Sequence, residues 1–245
     1  MPANSLFSGF HYLLRGANLL TAPSLRPFIL VPLLINLTLF IIATTILIQQ
    51  FDLALEWLLE ALPGWLDFLA WILWFLFALV ILLVYGYSFS AITNLIAAPF
   101  YGLLAEKVEA MVSGHAPPME SFTQMIPRTL ARELKKLWYF IVRGLGVALL
   151  MLVFSFIPLL NVLVPIIGLL WGAWSMSIQY ADYTADNHQL PFTRLRKRLG
   201  RPVFSTYGFG GLVMLGTMIP VINILVMPAA VAGGTLFWLN ELQRD

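Results

Sequence analysis

The amino-acid sequence predicts an all-α integral membrane protein with two long transmembrane helices and two broken helical hairpins that penetrate only part of the bilayer. Only 11% of the 245 residues are charged and 60% are hydrophobic, whereas a soluble protein has about 25% charged residues. Four long segments contain no Asp, Glu, Lys or Arg: 27–51, 68–105, 144–181 and 202–240. Each exceeds the roughly 20 apolar residues that a membrane-spanning helix needs. We therefore expect residues 1–245 to form a single membrane domain.

The first two apolar segments are predicted to be full crossings. The connection between them, residues 52–67, carries four acidic residues and no basic one, while all fourteen Lys and Arg lie elsewhere in the chain. Because basic residues concentrate on the cytoplasmic side of a membrane protein, this connection is predicted to lie outside and the other connections in the cytoplasm. Segment 27–51 then crosses outward and segment 68–98 returns. The first segment is too long for a signal peptide and is expected to remain in the protein.

Residues 106–143 are predicted to be a cytoplasmic helical region with a basic face. Four basic residues there recur at helical spacings of three and four: Arg128, Arg132, Lys135 and Lys136. Such a face is attracted to anionic lipid headgroups of the cytoplasmic leaflet, or it can serve as an electrostatic funnel for an anion. A second basic cluster, residues 194–201, allows the same two interpretations, with lipid headgroups as the favoured one.

The last two apolar segments repeat each other. Residues 157–165 read Ile-Pro-Leu-Leu-Asn-Val-Leu-Val-Pro, and residues 219–228 read Ile-Pro-Val-Ile-Asn-Ile-Leu-Val-Met-Pro. Proline removes a backbone donor and breaks a helix, so each segment is predicted to turn in its middle. Basic residues precede and follow both segments, which places both ends of each hairpin on the cytoplasmic side. The repeated hairpins are therefore assigned to 144–181 and 202–240.

The depth of these hairpins has two interpretations. The two arms of 144–181 contain about 14 and 17 residues, or roughly 21 and 25 Å at the rise of an α-helix. Neither arm covers a hydrocarbon core of about 30 Å, which favours hairpins that dip into the membrane and return. Two short full crossings per segment, accommodated by tilt and local thinning, remain the alternative.

The breaks themselves contain an asparagine each, Asn161 and Asn223. Backbone groups that a break releases cannot face lipid, so they must be buried against protein or line a wet cavity. Alternatively, each asparagine caps the second arm of its hairpin.

Catalytic and metal chemistry find little support in the sequence. There are no cysteines, which excludes disulfides, thiol nucleophiles and thiolate metal sites, and there is no phosphate-binding glycine loop that ends in Lys-Ser/Thr. Asp182 and Asp186 are four residues apart and precede His188, but such spacings are common by chance, and a polar junction at the cytoplasmic face is the preferred interpretation. We expect no metal, no cofactor and no enzyme activity. A net charge of +2 is too small to suggest nucleic-acid binding.

Two ionisable residues stand at the ends of apolar segments. Glu106 either marks the membrane interface or pairs with a basic residue of the 128–136 face. Arg26 stands at the start of the first membrane helix, where unpaired amides and the positive end of the helix favour an anion. Its guanidinium can donate several hydrogen bonds to an oxyanion, although a single Arg at a helix end is more often an interfacial anchor.

Several runs of residues resemble the CysZ sulfate permeases of bacterial inner membranes. The longest is 94–106, Asn-Leu-Ile-Ala-Ala-Pro-Phe-Tyr-Gly-Leu-Leu-Ala-Glu. Residues 178–183, Asp186-Asn187-His188 and Pro191-Phe192 resemble the same family, as do the two Ile-Pro repeats and residues 32–36. The resemblance thus extends over nearly the whole chain.

The resemblance implies an oligomeric, multi-pass protein of the bacterial inner membrane that takes up sulfate for cysteine synthesis. It also implies a sulfate site at the start of the first membrane helix, which maps onto Ser24, Leu25 and Arg26. Members of the family often carry a second basic residue directly after this arginine, whereas this chain has Pro27. Proline is itself favourable early in a helix.

On this basis we predict a channel-like permease that feeds cysteine biosynthesis, with sulfate and membrane lipids as its partners. Further residues are assigned to the passage and its cytoplasmic mouth: Asn94, Glu106, Arg128, Arg132 and His188. A structural or regulatory membrane protein that organises lipid or a partner permease is the alternative function.

Overall fold

The computed structural model describes residues 4–60, 69–117 and 120–243, without the side chains at 36, 82–96, 220, 221 and 224. These residues form helices and turns, with no strand among them. The α-helices are α1 (Leu6–Leu19), α2 (Pro27–Glu60), α3 (Leu69–Ser113), α4 (Phe122–Ser155), α5 (Leu163–Asn187), α6 (Phe192–Leu199), α7 (Val203–Thr217) and α8 (Pro220–Phe237). Short 3-10 turns cover Pro23–Leu25 and Leu160–Val162, and a π-helical turn, Trp238–Leu242, follows α8.

The chain divides into two compact units. One unit, residues 30–97, contains most of α2 and the first part of α3. Within it the ring of Phe51 stacks on that of Phe77 with centroids 3.8 Å apart, and Trp74 meets both rings edge-on. Most other side chains of α2 are apolar and exposed, as expected of a helix that faces lipid rather than water.

The other unit, residues 1–29 and 98–245, holds its helices together through glycines. A Cβ on Gly9 or Gly208 would collide with backbone atoms of the opposite helix, and the same holds for Gly16 and Gly233. The first pair lies between α1 and α7, and the second lies between α1 and α8. Small residues allow backbones to approach closely, which is how helices associate where burial from water supplies no driving force.

Helix α5 packs in the same way against α7 and α8. A Cβ on Gly210 would meet the carbonyl oxygen of Ala173, and one on Gly234 would lie 2.6 Å from the carbonyl oxygen of Tyr180. The end of α5 is consequently buried throughout, since every residue from Ser177 to Asp186 is buried.

Helix boundaries extend beyond the predicted segments. Helix α2 continues from residue 51 to Glu60, and α3 continues from residue 98 to Ser113. The extensions are rich in Leu, Ala and Glu, which favour helix, and α3 ends where Gly114 adopts a φ of 74°. The region predicted as 106–143 is thus shared between α3 and α4, and α4 continues without interruption into the first arm of the hairpin.

Both repeats form turns between antiparallel helices. In the first, the chain turns between Ser155 and Leu163, and Leu159 adopts a φ of 72°. In the second, Pro220 is the first residue of α8, and the helix passes through Pro228. Val162 and Ile219 are the N-cap residues and neither makes a side-chain cap bond. The asparagines therefore do not cap the second arms.

Four helical segments of the described chain are long and apolar enough to cross a membrane: Pro23–Glu60, Phe122–Ser155, Leu160–Asn187 and Leu225–Leu242. The shorter helix Val203–Thr217 is also apolar. This confirms the predicted fold class of an all-α membrane protein. The division into two full crossings and two partial hairpins stays a prediction.

Candidate functional site

The predicted anion site lies in a tight turn between α1 and α2. The turn Pro23–Leu25 is held by hydrogen bonds from Leu25 N to Ala22 O, 3.1 Å, and from Arg26 N to Pro23 O, 3.3 Å. Leu25 is fully buried, which anchors the turn, and the hydroxyl of Ser24 lies 3.9 Å from the sulfur of Met111 on α3. Prolines on both sides of the turn fix its backbone.

Two polar groups of this turn face outward. Ser24 and Arg26 are both exposed. The guanidinium of Arg26 donates one long hydrogen bond, 3.5 Å, to the carbonyl oxygen of Thr21, and in the described part of the chain it has no carboxylate partner. Pro27 has no N–H, and the amide of Ile29 donates to the carbonyl oxygen of Arg26 at 3.1 Å. The guanidinium of Arg26 is therefore the main donor that the turn offers beside the positive end of α2.

The basic face of α4 does not lie open. Instead it pairs with the acidic residues of α5. Arg132 donates from Nη2 to Asp182 Oδ1 at 2.6 Å and from Nη1 to the carbonyl oxygen of Leu190 at 2.6 Å. Arg128 Nη1 donates to the backbone carbonyl oxygen of Asp186 at 2.7 Å and forms an ion pair with Asp186 Oδ1 at 2.5 Å, and the hydroxyl of Thr129 donates to Asp186 Oδ2 at 3.1 Å.

A lysine extends this ionic cluster into the protein interior. Lys136 is 1% exposed, and its Nζ lies 2.5 Å from Glu133 Oε1 and 3.2 Å from Asp182 Oδ2. This ammonium makes no hydrogen bond in the part of the chain described, so the attraction is mainly Coulombic. The ring of Tyr183 lies 4.5 Å from the same ammonium. Residues 128, 132 and 136 thus form one row of cations against the row of carboxylates at 182 and 186.

His188 belongs to a separate contact. Its Nε2 lies 2.8 Å from Glu109 Oε1 on α3, and its ring stacks on Trp238 with centroids 5.5 Å apart. The neighbouring Asn187 donates to the carbonyl oxygen of Gly102 at 2.8 Å. Together these contacts join the ends of α3, α5 and α8, which agrees with the preferred interpretation of a polar junction. Within the described residues no group of three His, Asp or Glu side chains is arranged to hold a metal.

A cavity of about 210 Å³ with both charged and apolar lining lies beside this junction. Three charged residues line it, Glu106, Glu120 and Arg128, together with Asn187 and several apolar side chains. Arg128 uses Nε and Nη2 to hold the carboxylate of Glu120, at 2.9 and 2.7 Å from Oε2. Glu106 makes no ion pair with the 128–136 face among the described residues, so the acid and the guanidinium share a cavity without contact.

The sequence-predicted residues therefore fall into three places. Glu106 and Arg128 line the cavity, Arg132 and His188 lie beside it in buried pairs, and Ser24, Leu25 and Arg26 form the turn before α2. The side chain of Asn94 lies outside the described residues. Glu109, Glu120 and Glu133 were not assigned from the sequence. Arg128 and Arg132 are four residues apart, and so are Asp182 and Asp186. This shared spacing was the feature of the sequence that could have predicted their pairing.

Part of the second basic cluster also contacts other side chains and backbone of the protein. The guanidinium of Arg196 lies 4.5 Å from the ring centroid of Tyr139 and 5.0 Å from that of Phe192. Arg198 donates to the carbonyl oxygen of Leu242 at 3.1 Å and lies over Trp238. Arg194, by contrast, is exposed.

Known proteins resemble this chain over nearly its full length. Residues 12–228 match the family described as sulfate transporter CysZ/etoposide-induced protein 2.4. A sulfate transporter CysZ from Pseudomonas fluorescens is 47% identical over 98% of this chain and 96% of its own length. Proteins of the same name from Pseudomonas syringae pv. tomato and Vibrio parahaemolyticus are 44% and 41% identical over 100% and 99% of this chain. The resemblance found in the sequence is thereby confirmed, and the chain belongs to the CysZ family.

Proposed function

We propose that this protein transports sulfate across the bacterial inner membrane into the cytoplasm, where sulfate supplies cysteine synthesis. One observation carries the proposal: the chain matches proteins named sulfate transporter CysZ along 98% or more of its length, at 41–47% identity. Four helical segments long and apolar enough to cross a membrane agree with it. The range that matches the family, residues 12–228, includes the turn before α2 and all residues that line the cavity.

The turn before α2 is the proposed place of first capture. Sulfate carries two negative charges and four acceptor oxygens, so its hydration must be replaced by several donors at once. The exposed guanidinium of Arg26 supplies a fork of N–H groups, the hydroxyl of Ser24 adds a further donor, and the start of α2 adds its positive end. Leu25 acts by anchoring the turn, since its side chain is fully buried.

The cavity that Glu106 and Arg128 line is the proposed cytoplasmic mouth. Its only guanidinium among the described lining residues is occupied by the carboxylate of Glu120. A sulfate ion at this position would have to displace that carboxylate from Arg128. This competition weakens the binding of sulfate, and conduction requires binding weak enough for the ion to leave. Arg132 and His188 support the mouth from behind, by fixing α5 and α3. Asn94 is proposed to lie on the passage before Glu106.

We also propose that copies of the chain associate in the membrane. The turn between α4 and α5 leaves Phe156 79% exposed and Leu159 87% exposed. Lipid tails or the corresponding surface of a second copy would cover such side chains.

Sulfate flux into liposomes that contain only the purified protein tests the function. We expect radiolabelled sulfate to enter protein-containing liposomes faster than protein-free ones, with a rate that saturates as external sulfate rises. The Arg194→Ala variant should behave as the unmodified protein does, because that side chain is exposed and distant in sequence from both proposed sites. Entry no faster than into protein-free liposomes would support the alternative, a protein that organises lipid or a partner permease.

A further inference from the structure

An apolar groove lies on the surface where α4, α5 and α7 meet. It has a volume of about 340 Å³. Six side chains line it, all of them aliphatic or aromatic: Val147, Ile167, Leu170, Trp171, Trp174 and Tyr207. These residues belong to apolar segments that the protein places in the membrane, so the groove faces lipid rather than water.

Polarity changes along the groove in a defined order. Tyr139, Arg143 and Val147 follow each other at intervals of four on one face of α4. Tyr139 is next to Trp171 and Trp174: its ring lies 6.1 Å from that of Trp171, and its hydroxyl accepts from Trp174 Nε1 at 3.3 Å. Aromatic and charged groups therefore lie together at one end of the groove, which we call the charged end, and aliphatic side chains lie at the other. Aromatic belts of this kind mark the level of the lipid headgroups.

Two guanidiniums stand at the charged end. That of Arg196 is held between the rings of Tyr139 and Phe192, and its buried Nε has no hydrogen-bond acceptor in the part of the chain described. Arg143 is exposed and makes no ion pair with any described carboxylate. Both cations thus differ from Arg128 and Arg132, whose charges are compensated by Asp186 and Asp182.

We propose that this groove is a binding site for an anionic glycerophospholipid of the cytoplasmic leaflet. Its phosphate lies between Arg143 and Arg196, its glycerol region lies at the tryptophans, and an acyl chain lies on Val147, Ile167 and Leu170. From Tyr139 to Val147 the helix rises about 12 Å, which corresponds to most of one leaflet of a hydrocarbon core of about 30 Å. Uncompensated positive charge next to an apolar groove selects a lipid with net negative charge over a zwitterionic one.

Fluorescence quenching by brominated lipids tests this site directly. The protein is reconstituted in phosphatidylcholine vesicles that contain, over the same series of mole fractions, either phosphatidylglycerol or phosphatidylcholine with brominated acyl chains. The signal of Trp171 and Trp174 is obtained as the difference from a Trp171→Phe/Trp174→Phe variant. We expect brominated phosphatidylglycerol to quench this signal at lower mole fraction than brominated phosphatidylcholine. The preference should fall roughly fivefold per arginine removed, which is the fold-change of about 1 kcal/mol per basic residue near an anionic surface.

The variants are Arg143→Ala and Arg196→Ala, separately and together, with Arg194→Ala as the control that removes the same charge from an exposed position of α6. The control should keep the preference for phosphatidylglycerol. Folding is checked by size-exclusion chromatography, and Arg143→Ala with Arg196→Gln, which also removes both charges, replaces the pair if Arg196→Ala does not fold. Equal quenching by the two lipids in the unmodified protein would overturn the proposal. So would a preference that is the same in the Arg143 and Arg196 variants as in Arg194→Ala.

Discussion

The arginine side chains of this protein lie in three kinds of surroundings. Arg132 has its fork filled by Asp182 at 2.6 Å, Arg196 lies between two aromatic rings, and Arg26 is exposed with a single long bond to Thr21. A transported anion must bind and leave, so it needs a guanidinium whose donors are not already satisfied. Arg26 meets this requirement without the displacement of any carboxylate among the described residues.

The first prediction at this scale concerns Arg26 and the affinity for sulfate. Arg26→Ala should weaken sulfate binding roughly ten- to a hundredfold, because a charged hydrogen bond contributes about 1.5 to 3 kcal/mol. Folding and membrane insertion should be unchanged, since the side chain is exposed. Arg26→Lys should recover only part of the loss, because an ammonium keeps the charge but lacks the planar fork. Isothermal titration calorimetry of the purified protein with sulfate provides the measurement.

Arg194→Ala is the matched control for this experiment, because it removes one exposed guanidinium elsewhere and gives the same net charge. It should bind sulfate as the unmodified protein does. An unchanged affinity in Arg26→Ala would move the capture site away from the turn before α2, with the cavity at Arg128 as the next position to test.

The surroundings of a residue could be predicted from the sequence where they depend on its neighbours in the chain. The placement of Arg26 at a helix start follows from Pro23 and Pro27, which are its neighbours in the chain. The partners of Arg128 and Arg132 are Asp186 and Asp182, more than 45 residues away. Each spacing of four was visible in the sequence, but only the contact between α4 and α5 makes the two rows one cluster.

Helices α4 and α5 are joined by that cluster, and its buried end should control their stability. Lys136→Met should lower the free energy of unfolding by about 3 to 5 kcal/mol, the range expected when one partner of a buried ion pair is removed. The loss arises because the carboxylate of Glu133 stays buried without its closest cation. Unfolding in detergent with a chemical denaturant, followed by circular dichroism, measures the change.

Lys135→Met is the control, since its side chain is exposed and immediately precedes Lys136. It should change the stability little. The double variant Lys136→Met/Glu133→Leu should be more stable than Lys136→Met alone, because both charges of the pair are removed together and Asp182 keeps Arg132. If Lys136→Met were no more destabilising than Lys135→Met, the buried cluster would not hold α4 to α5.

At the scale of the elements, the sequence predicted where the helices lie along the chain but not how far they extend. Charge-free segments located the apolar parts of the helices, because hydropathy reports burial in lipid directly. It does not report where a helix ends in water, so residues 52–60 were assigned to a connection although they continue α2, and residues 106–113 were assigned to a separate cytoplasmic helical region although they continue α3. Helix α1 was not assigned, because its contacts depend on Gly9 and Gly16 meeting glycines nearly 200 residues or more away.

At the scale of the whole molecule, the two repeated turns determine how the second half of the chain meets the membrane. Both have apolar side chains at their surface, including Leu159 and Met218 at 87% and 65% exposure. Neither turn carries a charged residue that would favour the headgroup region of the opposite leaflet. The 15 residues of α7 span about 22 Å, less than a hydrocarbon core of about 30 Å. The apolar surface favours an end inside the hydrocarbon core for both turns, and the short α7 favours it for the turn between α7 and α8.

Cysteine labelling tests this depth, because the chain has no cysteine of its own. A single cysteine at Leu160, in the turn between α4 and α5, should resist an impermeant maleimide added outside intact cells, since that turn ends within the hydrocarbon core. A cysteine at Glu56, in the acidic end of α2, should react readily from outside. A cysteine at Arg194, on α6, should react only after the membrane is permeabilised. Ready labelling at Leu160 from outside would show that α4 and α5 cross the membrane completely, and the partial hairpin would have to be abandoned.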